Sequence, residues 1–166
     1  LALKSQSAII ARMGETVVEV NVNTAPANPD SDFFPMSVEY IERFYASGKI
    51  SGSRFVKIER FPSDDAVLKA RMIDRALRCR FPHDYRDELS LIVTVMSYDE
   101  ENDPVILAIN AASVALLNSK APFDGPVAGV RIGMEDGVMK DIYRNMEDVD
   151  KQNQLNYVLG GDGKEF

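Results

Sequence analysis

A cluster of basic residues in an otherwise acidic chain is the feature of this sequence with the clearest chemical meaning. Residues 49–80 contain nine Lys or Arg and four Asp or Glu, a net charge of +5; because the 166-residue chain carries −7, the other residues sum to −12. A positive region in a negative protein attracts a polyanion to one place. The sequence therefore predicts a phosphate-binding surface, with RNA or DNA as the first candidate; solvated arginines without a ligand are the alternative. The basic residues are Lys49, Arg54, Lys57, Arg60, Lys69, Arg71, Arg75, Arg78 and Arg80.

Three of these arginines have helical spacing. Arg71, Arg75 and Arg78 are separated by four and then three residues, which places them on one face of a helix. Three guanidinium groups on one face repel each other unless an anion lies among them. A bound phosphate could supply that negative charge, and so could Asp74 of the same helix. The spacing leaves both interpretations open.

Other chemical constellations are weak. Glu100, Glu101 and Asp103 form the densest acidic group, but a turn followed by a helix cap favours a solvated loop over a magnesium site. The glycine-rich residues 160–163 lack the Lys-Ser/Thr pair and the helix of a phosphate-binding loop. His83 is the only histidine, so this chain has no histidine pair for zinc or for a proton relay. We therefore expect no catalytic residue and no metal ligand among these residues.

The elements that must position the basic residues alternate between strands and helices, which predicts an α+β fold. A helix capped by Ser63, with its apolar face at Ala66, Ala70, Ile73 and Leu77, carries the three arginines. A second helix, apolar almost all round, is predicted to follow Asp103 and Pro104. The other expectations are a hairpin at 8–13 and 16–22, strands at 33–40, 89–97 (buried on both faces) and 127–133, a loop or distorted ribbon at 49–62, a weak helix or loop at 139–154 and a turn at 160–163.

Size and composition predict one domain over residues 1–166. No apolar run approaches the roughly 20 residues that cross a bilayer, and Cys79 is the only cysteine, so no intramolecular disulfide can form. We expect a cytoplasmic protein without a membrane partner. Because the chain lacks an initiator Met and the last residues resemble a strand that has just begun, we expect a piece of a longer multidomain protein, truncated at both ends.

The order of several long segments resembles polynucleotide phosphorylase. The similar segments span most of residues 8–133, and after Gly133 the similarity fades. They are residues 32–40 (DFFPMSVEY), 43–50 (RFYASGKI), 71–78 (RMIDRALR), 102–104 (NDP), 107–116 (LAINAASVAL) and 121–133 (APFDGPVAGVRIG).

The resemblance implies a fold and an activity. The fold is the first ribonuclease-PH-like domain of that family, a two-layer β/α domain of the ribosomal protein S5 domain 2-like type. The family degrades RNA from its 3′ end with inorganic phosphate, releases nucleoside diphosphates, contributes to mRNA catabolism and uses magnesium. Its protomers form a homotrimeric ring around single-stranded RNA, and the phosphate and metal sites lie mainly in the second ribonuclease-PH-like domain of the same chain. The resemblance thus implies RNA binding and ring assembly for this domain, without magnesium or phosphate of its own.

The resemblance also implies RNA-binding residues. The family loop that narrows the RNA channel carries an aromatic pair and basic residues, and the arginine block on the following helix adds phosphate contacts or supports the domain. An aromatic side chain that stacks on a base, with cations on the backbone, holds RNA without sequence preference. The corresponding residues are Arg54, Phe55, Lys57 and Arg60 in the loop, and Arg75 and Arg78 on the helix.

This sequence departs from the family pattern at both places. One aromatic of the loop pair is missing, because Phe55 is flanked by Arg54 and Val56. On the helix, Ala76 and Cys79 replace prolines, and Arg80 stands where an apolar residue is usual. Two other functions therefore stay open: a purely structural or oligomerisation domain that has lost its grip on RNA, and a stand-alone phosphorolytic enzyme of ribonuclease-PH type.

Overall fold

The computed structural model describes residues 2–28, 32–49, 62–135, 138–141 and 156–162. Within these ranges the chain forms seven strands, two α-helices and one 3₁₀ helix, so the predicted α+β class is confirmed. The elements are β1 (Ser7–Met13), β2 (Thr16–Ala25), β3 (Met36–Glu42), the 3₁₀ helix (Phe44–Ser47), α1 (Asp64–Arg78), β4 (Glu88–Ser97), α2 (Pro104–Leu117), β5 (Ala128–Glu135), β6 (Val138–Asp141) and β7 (Asn156–Gly161).

The first sheet has the strand order β1-β2-β4-β3. The predicted hairpin is confirmed: β1 and β2 pair antiparallel around a turn in which Gly14 has a φ of +60°, a conformation that glycine adopts readily. β3 runs parallel to β4, and α1 lies in the connection between them, as a parallel pair requires. The third strand begins at Met36, later than predicted, because Phe33 to Pro35 precede the sheet.

The start of α1 agrees with the sequence prediction. The Ser63 hydroxyl accepts a hydrogen bond from the Ala66 backbone N–H at 3.1 Å, and Asp64 and Asp65 occupy the first turn. Carboxylates at this position are stabilised by the positive end of the helix dipole. Ala66, Ile73 and Leu77 are buried, whereas Ala70 is only partly buried. The arginines of α1 therefore point away from the core.

The second helix lies between two sheets. α2 packs against β1, β2 and β4 of the first sheet and against β5 of the second. Eleven of its fourteen residues are buried, which explains why the sequence is apolar almost all round. Asp103 is the N-cap, accepting a hydrogen bond from the Val105 N–H at 2.9 Å, and Pro104 follows it as predicted. None of the helices in the described ranges is long and apolar enough to span a membrane.

Glycines let the second sheet, with the order β6-β5-β7, approach both helices. A Cβ added at Gly129 of β5 would lie 2.9 Å from Cγ2 of Ile109 on α2, and one at Gly160 of β7 would lie 2.9 Å from Cβ of Ala76 on α1. Both distances are too short for carbon atoms that are not bonded. The Asn110 side chain then fixes the register, because its amide oxygen accepts from the Gly129 N–H at 2.9 Å and its amide nitrogen donates to the Gly129 carbonyl at 3.2 Å.

Three sequence predictions about the strands were wrong. Residues 89–97 are buried on one face only, because the helices cover one face of the first sheet; Leu91 and Val93 are fully buried whereas Met96 is 40% exposed. Residues 139–141 belong to the strand Val138–Asp141, which pairs with β5, rather than to a weak helix or loop; the remaining residues of that prediction, 142–154, lie outside the described part of the chain. Gly160 and Gly161 belong to β7 rather than to a turn, because β5 pairs with them as well.

Candidate nucleic-acid interface

The six predicted RNA-binding residues fall into two groups. The loop residues lie outside the described part of the chain, so their role stays a prediction. The loop or distorted ribbon predicted at residues 49–62 also lies outside the described part of the chain, except for residues 49 and 62. The helix residues, Arg75 and Arg78, lie in the last two turns of α1. The four loop residues are Arg54, Phe55, Lys57 and Arg60.

Arg78 is held by contacts inside the protein. Its Nε and Nη2 donate to the two carboxylate oxygens of Asp74 at 3.0 and 2.8 Å. Nη1 donates to the Phe34 carbonyl at 3.1 Å, and Nη2 also donates to the Met36 carbonyl at 3.0 Å. The guanidinium group lies 5.5 Å from the centre of the Phe34 ring. Arg78 therefore ties the end of α1 to the start of β3, and Asp74 neutralises it, as one of the two sequence interpretations proposed.

Arg71 and Arg75 differ from Arg78. Both are exposed, and neither has an ion-pair partner among the residues that the structure describes. Of the three arginines on this face, one is therefore engaged internally and two present their charge to solvent. These two are available to an external anion, which keeps Arg75 as a predicted RNA contact.

A large cavity lies beside α1. It has a volume of about 1310 Å³, is open to solvent and is lined by residues of β3, the 3₁₀ helix and α1, together with Tyr98 and Asp103. Arg71 and Lys49 both line it, and Lys49 is also exposed. The cavity therefore connects the basic face of α1 with the start of the predicted RNA-binding loop.

Lys69 carries a positive charge inside this cavity. Its Nζ lies 2.6 Å from a carboxylate oxygen of Glu42 on β3 and 2.6 Å from one of Asp65 on α1, and 5.6 Å from the centre of the Tyr40 ring. Burial lowers the pKa of Lys69, but its hydrogen bonds and attraction to Asp65 and Glu42 together raise that pKa above its usual range. The lysine is therefore a fixed cation. The four-residue spacing from Asp65 could have predicted one partner, but no local signal indicates Glu42.

A second buried ion pair involves Asp103, which also lines the cavity. Arg131 of β5 places Nη2 3.0 Å from Oδ2 of Asp103, and each side chain is only 10% exposed. The pair joins the second sheet to the start of α2. Tyr40 is also buried, and burial, with the negative charges of Glu42 and Asp103, raises its pKa above the usual range. Sequence analysis identified Asp103 as a cap but missed this ion pair, because its partner lies 28 residues further along the chain.

The acidic turn before α2 has a structural explanation. Asp99, which the sequence analysis did not single out, accepts hydrogen bonds from five donors: the backbone N–H groups of Glu15, Glu101 and Asn102, the Thr16 hydroxyl and the Asn102 amide. Burial raises the pKa of Asp99, but these hydrogen bonds outweigh it and hold that pKa well below its usual range. The turn therefore connects the β1–β2 hairpin to α2.

The acids of this turn do not fit a magnesium site. A magnesium site needs several carboxylate or carbonyl oxygens that converge on one point. Asp103 is paired with Arg131, and Asp99 is occupied by its five donors. In the described ranges, no three His, Cys, Asp or Glu side chains are arranged to hold a metal ion.

We expect Asp99→Asn to lower the free energy of unfolding by about 1–2 kcal/mol at neutral pH, because the amide cannot accept all the hydrogen bonds of the carboxylate. The folded-state pKa is lowered, so this stabilisation is fully present above the unfolded-state pKa of about 4 and is lost as pH falls through the folded-state value. Urea denaturation at neutral and acidic pH measures the difference. Glu101→Gln in the same turn is the control; an Asp99→Asn effect that does not shrink in acid would contradict this account.

We expect Arg78→Lys to lower the free energy of unfolding by about 1–3 kcal/mol, because lysine cannot bridge Asp74 and two carbonyls at once. The side chain is 40% exposed, so solvent screening keeps the effect below that of a fully buried pair. Arg75→Lys, on the same helix and exposed, is the matched control and should change stability by less than about 0.5 kcal/mol. Unchanged thermal stability of Arg78→Lys together with weaker RNA binding would instead assign Arg78 to RNA.

Comparison with known proteins identifies the family of this chain. The 3′ exoribonuclease family, domain 1, matches residues 1–122. Over 138 residues the chain is 48% identical to a polyribonucleotide nucleotidyltransferase of Pelagibacter ubique (strain HTCC1062), which covers 82% of this chain. The chain spans only 20% of that relative's length. This similarity confirms the resemblance to polynucleotide phosphorylase.

A solved structure supports the fold independently. Rrp46 of rice (Oryza sativa) superposes with a TM-score of 0.66, covering 95% of this chain and 73% of its own, at 15% sequence identity. At that identity the likeness concerns the fold alone, and it confirms the predicted ribonuclease-PH-like architecture. With the family match over residues 1–122, the conclusion is that this chain belongs to the 3′ exoribonuclease family, as its domain 1.

Proposed function

We propose that this chain is the RNA-binding and ring-assembly domain of a phosphate-dependent 3′ to 5′ exoribonuclease of the polyribonucleotide nucleotidyltransferase type. The observation that carries the proposal is the 48% identity to such a protein over 82% of the chain. The exposed cations of α1 agree with it, because they offer unneutralised charge to a phosphate backbone. The four loop residues from Arg54 to Arg60 provide the main grip on RNA, and Arg75 adds a phosphate contact.

The chemistry of the parent enzyme lies outside this domain in our proposal. Four of the described carboxylates are engaged inside the protein: Asp103 pairs with Arg131, Glu42 and Asp65 pair with Lys69, and Asp99 accepts the hydrogen bonds of the acidic turn. Magnesium and inorganic phosphate would then be held by a second ribonuclease-PH-like domain of the same protein. A homotrimeric ring around single-stranded RNA, cytoplasmic and active in mRNA degradation, completes the proposal.

A purely structural domain is the second candidate. The observation that favours it is the internal engagement of Arg78, which shows that one cation of the basic face serves the fold. If the loop cations likewise pair with acids of a neighbouring subunit, their removal would disturb oligomerisation and leave RNA affinity unchanged. The same substitutions therefore distinguish the two functions: they lower RNA affinity if the domain binds RNA, and they weaken oligomerisation if the domain is structural.

We expect single-stranded RNA to bind the 166-residue chain with an affinity that falls as salt rises, by about 0.7 logarithmic units per decade of salt for each phosphate contacted. Replacing Arg54, Lys57 and Arg60 by Gln should lower both the affinity and this slope. Arg12→Gln is the control, because Arg12 is an exposed cation on β1 paired with Glu15. Fluorescence anisotropy measures the affinity and sedimentation measures the oligomeric state. Weaker self-association with unchanged RNA affinity would establish the structural function instead.

We expect no shortening of end-labelled RNA by this chain in magnesium, with or without inorganic phosphate, since the proposal places the chemistry elsewhere. A gel assay at single-nucleotide resolution reads the outcome. Phosphate-dependent loss of nucleotides from the 3′ end would contradict the proposal and assign a stand-alone phosphorolytic activity to the domain.

A further inference from the structure

We propose that β1 pairs in antiparallel orientation with β1 of a second copy of this chain, so that two four-stranded sheets join into one continuous sheet. The flanks of the two α2 helices meet above the junction. This two-fold contact goes beyond the proposed function, because the contacts that close a ring are head-to-tail and join two different surfaces. It involves only residues that the structure describes.

β1 is an edge strand that lacks the features by which proteins usually prevent strand pairing. Among the described residues it pairs only with β2, in a register that stays regular from Ser7 to Met13. Its sequence, SAIIARM, has no proline and one charged residue, Arg12, which forms an ion pair with Glu15. Natural proteins protect exposed edges with charges, prolines, bulges or very short strands. The outer edge of β1 is therefore open to another strand.

The other sheet edges in the described part of the chain are better protected. β3 carries Glu39 and Glu42, and β6 has only four residues. β7 ends in Gly160 and Gly161, and glycine weakens a strand because it has no side chain to pack. β1 is therefore the edge that most readily accepts a partner strand.

Apolar side chains beside this edge are incompletely covered. The core-facing apolar side chains of β1 stay partly exposed, whereas those of the next strand, β2, are fully buried. On the opposite face of the sheet, Ile10 is 52% exposed. A strand added beside β1 would cover both faces of the edge. The residues compared are Ile9, Ala11 and Met13 of β1, and Val18, Val20 and Val22 of β2.

α2 presents an apolar flank on the same side of the molecule. Val114 and Leu117 are 46% and 47% exposed, although most of this helix is buried. The first sheet, β5 and α1 cover the other sides of α2. Because α1 lies over β3, at the opposite edge of the first sheet, the side of α2 left uncovered is the one above β1. The open edge of the sheet and the exposed flank of the helix thus form one surface.

A two-fold pair satisfies the strands and the helices together. Neighbouring strands lie about 4.8 Å apart, and α2 contacts both β1 and β2, which places its axis about 2.4 Å inward of β1. Two copies joined at β1 therefore have their α2 axes about 10 Å apart, a distance at which helices pack. The apolar flanks of α2 then cover each other.

Pairing of all the residues of β1 fixes the register of the contact. It places Ile10 opposite Ile10 of the second copy, on the two-fold axis, and Arg12 opposite Ala8. No like charges on β1 then face each other, so the strand is complementary to itself. Self-complementarity is what a two-fold contact between identical chains requires.

The size of the surface predicts a weak dimer. The seven residues of β1 span about 23 Å, and one sheet layer and one helix layer bury less than the roughly 800 Å² per partner of a stable complex. We therefore expect association that depends strongly on protein concentration.

Charges placed on the two-fold axis test the pairing. Ile10→Lys and Ile10→Glu alter an exposed side chain, so each variant should keep its fold, which circular dichroism checks. We expect sedimentation equilibrium to show a dimer for the wild type, about tenfold weaker association for each variant alone, and recovery of the dimer when the two variants are mixed. Glu39→Lys on β3, the other edge strand of this sheet, is the control and should leave association unchanged.

Cross-linking gives a second measurement of the same contact. Cys79→Ser first removes the only cysteine. In that background we expect Ile10→Cys to give a disulfide-linked dimer on oxidation, because the two-fold axis brings this position of both copies together, whereas Glu39→Cys should not. A wild type that stays monomeric at every concentration, or association that Ile10→Lys does not weaken, would overturn the inference.

RNA affinity measured on the same proteins separates this inference from the proposed function. If the wild type binds RNA with the expected salt dependence but stays monomeric, the pairing of β1 is wrong and the proposed function stands. If the dimer forms as expected and RNA does not bind, the proposed RNA-binding function is wrong and the pairing of β1 stands.

Discussion

The burial of α2 between two sheets is the constraint on which the rest of the structure depends. A helix that contacts strands on opposite sides must be apolar around its circumference, and the backbone groups at its ends need partners that remain inside the protein. Asp103 meets the second need, because it caps the helix, and its own charge is paired with Arg131 of the second sheet. Close approach of that sheet then requires Gly129 opposite Ile109. Each of these residues follows from the position of one helix.

Counterions decide which cations of this domain can meet a ligand. Lys69 and Arg78 belong to the positive region seen in the sequence, yet both are neutralised by carboxylates of the fold. Arg71 and Arg75 come from the same helix and keep their charge exposed. The net charge of the region therefore overstates the charge available to RNA.

Features with a local cause could be predicted from the sequence. Ser63 and Asp103 as helix caps, the hairpin around Gly14 and the apolar character of α2 depend on residues a few positions apart, and the structure has all of them. The family likewise followed from long segments in order. The one-sided burial of β4 could not be predicted, because an apolar run does not indicate how many faces of a sheet are covered.

Long-range pairs escaped prediction for a related reason. The contact of Lys69 with Glu42 and of Arg131 with Asp103 joins residues that only the folded chain brings together. Arg78 is a further example. Its spacing with Arg71 and Arg75 is helical, as predicted, but the carbonyls of Phe34 and Met36 that accept its hydrogen bonds lie at the start of β3 and just before it. Spacing identifies which residues share a face of a helix, and the tertiary fold decides what that face meets.

The departures from the family pattern at the end of α1 have structural causes within this chain. Arg80, where an apolar residue is usual, places Nη2 2.9 Å from Asp162 beyond β7 and donates from Nε to the Asp124 carbonyl at 2.7 Å. Ala76, which replaces a proline, is the residue that Gly160 of β7 approaches closely. Both substitutions thus serve contacts between α1 and the elements that follow α2. Because these changes are explained by packing, they are not a reason to infer a weaker hold on RNA.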